Sequence, residues 1–385
     1  MASSLLLSSP TDYEPYSFGQ GETLTLNMSW GSPSTNPADR EVGGDASSSV
    51  AEDRLYEVPV EVIVLLSVCY GAISLVAVVG NTFVLWIVAT SRRMRTETNY
   101  LIANLAISDI IIGLFSIPFH FQAALLQRWL LPRFMCAFCP FVQVLSVNVS
   151  IFTLTAIAVD RYRAITIPLK ARLNSRLTAR VLIGVIWVAS AMAAAPYAFA
   201  LRVTLVQDER TGERTRPFCH NVALPPSAWR VYNNALVCSQ YFAPLLVICY
   251  VYERIRRLLK DSTIPGNPES VRDAIVVRNK KKVTKMMFIV VAIFALCWLP
   301  YQTYNILTEI YPEINSYRYI NVIWFCCHWL AMSNSCYNPF IYAIYSEKFN
   351  AEFQARIRCC ARRPHDEIVY GHSSIMTQLS VRLQS

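Results

Sequence analysis

Apolar residues in this chain gather into blocks, and seven of these are long enough to cross a bilayer, which takes about 20 residues per helix. They run Glu61–Thr90, Tyr100–Leu126, Cys136–Val159, Val181–Leu201, Val231–Tyr252, Val283–Leu307 and Tyr319–Tyr345. Hydrocarbon offers no hydrogen bonds, so each block must satisfy its own backbone and is predicted to be an α-helix. A barrel would instead show alternating segments of about ten residues. The expected fold is an all-α membrane protein, a seven-transmembrane helix bundle. Residues 346–358 add a short amphipathic eighth helix: Phe349, Phe353 and Ile357 form an apolar stripe among bases, as in a helix lying on a membrane.

Composition agrees. Hydrophobic residues make up 54% and charged residues 16%, against about 25% charge in a soluble domain. That disfavours a cytosolic enzyme, a disordered chain and a small disulfide scaffold. The charge also sets a direction. If the loop after the first helix is cytoplasmic, the inner segments hold 25 of the 35 Lys and Arg. Excess Lys and Arg belongs on the cytoplasmic side, so the N-terminus is expected outside and the C-terminus inside, at the plasma membrane. The net charge of +9 then reads as an inner face meeting anionic membrane lipid, not as a nucleic-acid surface. Asn27-Met28-Ser29 in the polar N-terminal segment is a glycosylation acceptor.

Ionisable residues inside a span are costly and mark function. Asp109 is the clearest. Asn81, Ser150, Asn334, Ser335 and Asn338 recur at matching depth, and together they are expected to form a hydrated cluster able to hold a small cation. Pro118, Pro196, Pro244, Pro300 and Pro339 lie inside spans, where each removes a backbone hydrogen bond and bends its helix. Cys136 begins the third span and Cys219 lies in the second outer loop; they are the natural disulfide in an oxidising compartment, with Cys139 the weaker candidate. Cys359-Cys360, after the amphipathic helix, are palmitoylation candidates. No His-Glu-x-x-His, phosphate-binding glycine loop or nucleophile–base pair is present, so no enzyme is expected.

Several motifs then fall in order: Gly80-Asn81, Asp160-Arg161-Tyr162, Trp187, Pro244 with Tyr252, Cys297-Trp298-Leu299-Pro300 and Asn338-Pro339-Phe340-Ile341-Tyr342. With the two cysteines, they make the chain from about Leu55 to Cys360 resemble a rhodopsin-family (class A) G-protein-coupled receptor. The resemblance divides it into an extracellular tail (1–55), a seven-transmembrane receptor domain (56–345), a membrane-surface helix (346–358) and a cytoplasmic tail (359–385). It implies that an agonist favours a helix arrangement that opens the inner face to a heterotrimeric G protein. It further implies that Arg161 pairs with Asp160 at rest beside Tyr162, that Tyr252 and Tyr342 swing toward Arg161, and that Trp298 moves beneath the ligand. Asp109, Ser150, Asn334, Ser335 and Asn338 match that family's sodium pocket; no cofactor is expected beyond this allosteric ion. Many such receptors carry an acid at the foot of the sixth helix, where this chain has Lys280.

Amine receptors of this family carry aspartate where this chain has Gln143, and opsins need a lysine that Tyr319–Tyr345 lacks. The acidic tail and a wide polar cavity fit a peptide. Helix-face spacing assigns His120, Gln143, Val147, Trp298, Tyr301, Gln302, Asn305, Trp324 and His328 to its walls. Three strings, Ile117–Gln127, Cys136–Gln143 and Trp329–Pro339, resemble the invertebrate kinin (leucokinin, myokinin) receptors, with the tachykinin-like and neuropeptide-Y-like receptors as the alternative. The kinin likeness implies a C-terminally amidated peptide agonist and signalling through Gq, phospholipase C and calcium. Ser373, Ser374, Thr377, Ser380 and Ser385 offer phosphorylation sites for arrestin. A seven-span transporter or channel is a further alternative.

Overall fold

The computed structural model describes residues 60–126, 129–166, 175–207, 214–261, 271–317 and 319–361. Asn27 and the serines of the C-terminal tail lie outside these residues. The helices are α1 (Val60–Thr90), α2 (Glu97–Phe115), α3 (Ile117–Leu126), α4 (Met135–Thr166), α5 (Ser175–Ala200), α6 (Pro226–Val237), α7 (Ala243–Asp261), α8 (Val271–Ile310), α9 (Ile320–Tyr345) and α10 (Glu347–Ala361). An antiparallel hairpin, β1 (Leu201–Gln207) and β2 (Arg214–Asn221), joins α5 to α6.

Prolines explain the two broken spans. The second span divides at Ser116, and α3 restarts with Pro118 as its second residue, a position where the missing N–H costs nothing. The fifth passes from α6 to α7 through a π turn, Cys238–Phe242. It precedes Pro244, which cannot donate to the carbonyl of Gln240. Pro140, not counted among the expected bends, also lies within α4.

Among the described residues six stretches are long and apolar enough to cross a membrane. The seventh expected span, α9, has 26 residues, a length of roughly 39 Å at 1.5 Å per residue. His328, Ser333, Asn334, Ser335 and Asn338 lower its hydropathy, and all five are buried, so α9 is polar on its inward side. α1 does the reverse: Val64, Leu65, Val68, Leu75 and Val79 are 56–65% exposed. In water such a surface is a liability; in lipid it is the outside of the bundle.

Polar side chains cross-link the helices. Asn81 Nδ2 donates to the carbonyls of Ala77 and Ser335, each at 2.8 Å, joining α1 to α9. Asn104 Nδ2 donates to Thr153 Oγ1 at 2.8 Å, and Asn104 Oδ1 accepts from Trp187 Nε1 at 2.8 Å, tying α2 to α4 and α5. Ser74 Oγ donates to the Gly113 carbonyl at 2.6 Å. Interhelical bonds of this kind hold bundles where burial of apolar surface no longer drives association.

The Cys136–Cys219 disulfide, Cα–Cα 5.7 Å, ties β2 to the start of α4, and Cys139 is a buried free thiol. Beneath the hairpin Trp129, Tyr197, Trp229 and Leu236 form a second core.

α10 corrects one expectation. Its apolar stripe does not simply face lipid. Phe349 is buried and stacks on Tyr342 with centroids 5.4 Å apart; Phe353 stacks on Phe83 at 5.1 Å; Ile357 alone of the three is exposed. The stripe clamps α10 to the bundle. Arg356 reinforces it by lying over the Trp86 ring at 5.1 Å while bonding Thr90 Oγ1 and Glu352. That bond and one from Ser91 hold the Glu352 carboxyl below the usual carboxylate range. The helix extends to Ala361, so its last turn includes Cys359 and Cys360.

Where α1 and α2 touch, a side chain on Gly113 would place Cβ 2.8 Å from Val78 Cγ2 and 3.3 Å from the Ser74 carbonyl, whereas one on Gly71 meets nothing within 4 Å. Gly113→Val is therefore expected to cost about 1–3 kcal/mol by overpacking and to lower both surface expression and melting temperature. Gly71→Ala leaves both unchanged or slightly raised. Thermal denaturation of the two purified variants beside the parent checks this.

Candidate functional site

Three groups of residues lie along the bundle. At the hairpin end, eight of the nine residues assigned to a ligand are buried, and Asn305 is half-buried. Their aromatic members form one ring cluster. Trp324 stacks on His328 with centroids 4.6 Å apart and planes at 10°. Tyr301 meets His328 edge-on at 5.6 Å and Trp298 at 6.1 Å, and Phe294 stacks beneath Trp298 at 5.8 Å. The polar members connect through Ser116, at the end of α2. Its hydroxyl donates to Gln143 Oε1 at 3.2 Å and contacts His120 Nδ1 at 3.3 Å. His120 and His328 lie 6.5 Å apart between centroids. Gln302 is buried with Oε1 unpartnered, and Asn305 bonds Tyr301.

A small cavity lies below Trp298, lined by Val147, Ser150, Phe294, Trp298, Asn334 and Ser335 among others, with room for about one water-sized particle.

The middle group surrounds Asp109, which is fully buried. Asn338 Nδ2 donates to Asp109 Oδ2 at 2.8 Å; Oδ1 meets no donor, although the Ser335 hydroxyl adjoins the carboxyl. Ser150 and Asn334 line the adjoining cavity, and Ser150 Oγ is bonded to Ser108 Oγ at 2.9 Å. Asn81 Nδ2 is spent on the Ser335 backbone, and its Oδ1 has no hydrogen-bond partner. The structure thus brings Asp109, Ser335 and Asn338 together, sets Ser150 and Asn334 beside them, and leaves Asn81 as a tie between helices. The donors are oxygens: one carboxylate, hydroxyls and amide carbonyls. Among the described residues no three His, Cys, Asp or Glu gather.

The third group lies at the α10 end. Arg161 Nη2 meets Asp160 Oδ2 at 2.5 Å and also donates to Thr98; Thr98 Oγ1 donates to the same Asp160 oxygen at 3.0 Å. The three side chains lock α2 to α4. Tyr162 is half-buried beside them. Tyr252 and Tyr342 are not on Arg161: Tyr252 packs edge-on against Phe288 at 5.7 Å, and Tyr342 stacks on Phe349. Lys282 Nζ pairs with Glu347 at 2.5 Å, linking α8 to α10. The Lys280 side chain lies outside the described residues.

Sequence reasoning missed Thr98, Ser108 and Tyr70. Tyr70 places its hydroxyl 3.0 Å from His328 Nδ1 and stacks on Phe121 at 4.6 Å, which brings α1 into the ring cluster. Tyr70 is the one phenol in the block Glu61–Thr90, and that was the available signal.

The family described as "7 transmembrane receptor (rhodopsin family)" matches residues 80–342. The chain is 37% identical to the neuromedin-K receptor of Oryctolagus cuniculus over 86% of its own length and 68% of that receptor's. It is 34% identical to the tachykinin-like peptides receptor 99D of Drosophila melanogaster, over 89% of this chain and 66% of the relative. To the human substance-P receptor it is 35% identical, over 84% and 78%. These names move the narrower likeness from the kinin receptors to the tachykinin-type alternative. The three strings that pointed to kinin receptors mix packing residues such as Phe121, Cys136, Val142 and Met332 with the pocket candidates His120 and Gln143. This is a family of receptors, not of enzymes. The motifs, the bundle that they build and the match across most of its length lead to one conclusion: the chain belongs to the rhodopsin family of seven-transmembrane receptors.

Proposed function

We propose that this receptor recognises a peptide of the tachykinin type at its hairpin end and relays binding to a heterotrimeric G protein, of the Gq class, at its α10 end. Similarity to three tachykinin-type receptors over 84–89% of the chain carries this reading. The N-terminus lies outside the cell and the C-terminus inside, as the Lys and Arg distribution requires. Asn27 is the glycosylation site, and Cys359 and Cys360 are anchored in the inner leaflet by palmitate. Arrestin binds the phosphorylated tail.

The ring cluster of Trp298, Tyr301, Trp324 and His328 offers flat apolar walls for ligand aromatics, while Gln143, Gln302, Asn305 and His120 supply hydrogen bonds for a neutral peptide terminus. Val147 packs below. Entry of the ligand must part these rings, and Trp298 is the member that also borders the cavity beside Ser150 and Ser335. Displacing Trp298 therefore changes the space beside Asp109.

Asp109 Oδ1 is the lone-pair donor that a sodium ion needs there, with Ser150, Ser335, Asn334 and Asn338 completing an oxygen shell. The ion supplies the positive charge that a buried carboxylate otherwise lacks. The group fits, since Oδ1 has no hydrogen-bond partner and Ser335, whose hydroxyl adjoins the carboxyl, also lines the water-sized space.

The lock of Asp160, Thr98 and Arg161 defines the resting state. A hydrogen bond between charged groups contributes about 1.5–3 kcal/mol, or roughly ten- to a hundredfold in population. An agonist opens the lock only by binding the open state more tightly than the closed one by at least that factor. Once released, Arg161 turns toward the G protein and Tyr252 and Tyr342 close behind it.

Cells expressing the chain are expected to release calcium on exposure to tachykinin-type peptides, with kinin and neuropeptide-Y-like peptides run alongside. Silence to tachykinins with a response to another peptide class would refute the ligand assignment. Replacing sodium with a large organic cation should raise agonist affinity in the parent and leave Asp109→Asn unmoved; radioligand binding in the two media reads this. Thr98→Val removes two bonds from the lock and is predicted to raise agonist-free inositol phosphate several-fold at equal surface expression.

A further inference from the structure

Two imidazoles at the hairpin end carry chemistry beyond the peptide contacts. His120 on α3 and His328 on α9 are buried, with centroids 6.5 Å apart and planes tilted by 53°. Their neighbours fix their tautomers. The Tyr70 hydroxyl has one hydrogen, which it donates at 3.0 Å to the Phe325 carbonyl, a group that can only accept. The same oxygen lies 3.0 Å from His328 Nδ1, so the hydrogen in that contact belongs to Nδ1. Ser116 likewise spends its hydrogen on Gln143 Oε1, so His120 Nδ1 donates to Ser116. The Ser116 carbonyl beside the ring also accepts from it. Each ring therefore presents Nε2 as a bare lone pair. His120 Nε2 is buried with no partner.

This is the arrangement of a metal-binding histidine, in which one ring nitrogen donates to a fixed oxygen and the other is free for the ion. We propose that His120 and His328 form a two-imidazole site for a divalent transition cation, zinc foremost, with water in the remaining positions. Among the described residues no third His, Cys, Asp or Glu joins them, so affinity is weaker than that of three- or four-ligand sites. At a Zn–N distance of about 2.0–2.1 Å, two imidazoles on one ion have centroids roughly 5–6 Å apart. The observed 6.5 Å therefore calls for an approach of about 1 Å, which a modest change in χ1 of the two histidines supplies. The bound ion pins α3 to α9 across the ring cluster. Its effect on signalling rests on the peptide reading above; metal binding does not.

The test uses the purified full-length receptor without peptide, with zinc retention measured by equilibrium dialysis. The parent should retain one zinc more per chain than the His120→Ala, His328→Ala double variant, and His120→Cys, which restores a zinc ligand, should retain it. His328→Gln keeps a donor toward Tyr70 but not the metal-binding lone pair; it serves as the loss variant should the alanines fail to fold. In cells, micromolar zinc should shift the peptide response about tenfold to higher concentration in the parent and in His120→Cys, with no shift in the loss variants relative to their own zinc-free curves. Equal zinc retention by parent and loss variants would overturn the site. Zinc retained by a receptor that answers no peptide would sink the peptide reading and leave the metal site standing.

Discussion

Hydrocarbon gives a polar side chain nowhere to turn except to another helix, and that constraint organises this molecule. Asn81, Asn104, Asp109, Ser150, Ser335 and Asn338 are all buried, and most are spent on a neighbour: Asn81 on the Ser335 carbonyl, Asn104 on Thr153 and Trp187, Asn338 on Asp109. The apolar surface meanwhile turns outward, most plainly on α1. A bundle held in this way is directional. Each bond specifies which faces meet, and some of the buried polar atoms without a hydrogen-bond partner lie along the length of the bundle.

Those atoms fall in the right places for a relay. Gln302 Oε1 and His120 Nε2 lie at the hairpin end, Asp109 Oδ1 in the middle, and the Tyr252 hydroxyl near the α10 end. Between the first two stands Trp298, a wall of the small central cavity. Close packing makes interiors switch between discrete arrangements instead of deforming smoothly. On the proposed relay, a ring displaced in the cluster is answered around Asp109, and proline-containing helices such as α8 and α9 carry that answer toward Arg161.

The seven helices and the disulfide were legible in the sequence because block length and charge asymmetry are strong signals. α9 was legible by its blocks even though its hydropathy is the weakest, since its polar residues recur on one face. The contacts of α10 were not: a stripe of Phe349, Phe353 and Ile357 reads the same whether it meets lipid or Tyr342 and Phe83. Residues with single hydroxyls escaped too. Thr98 and Tyr70 look ordinary along the chain and acquire a role only when folding brings Asp160 and His328 beside them. Ligand choice was the least legible feature, since the strings that suggested it mix packing residues with pocket candidates.

The account stands or falls on whether ligand at one end moves helices at the other. Spin labels on cysteines replacing Thr166 at the end of α4 and Lys285 in α8 report that separation directly. Addition of a tachykinin-type peptide that activates the receptor should lengthen the interlabel distance by several ångströms as Arg161 leaves Asp160. An unchanged distance distribution at saturating peptide would contradict the relay.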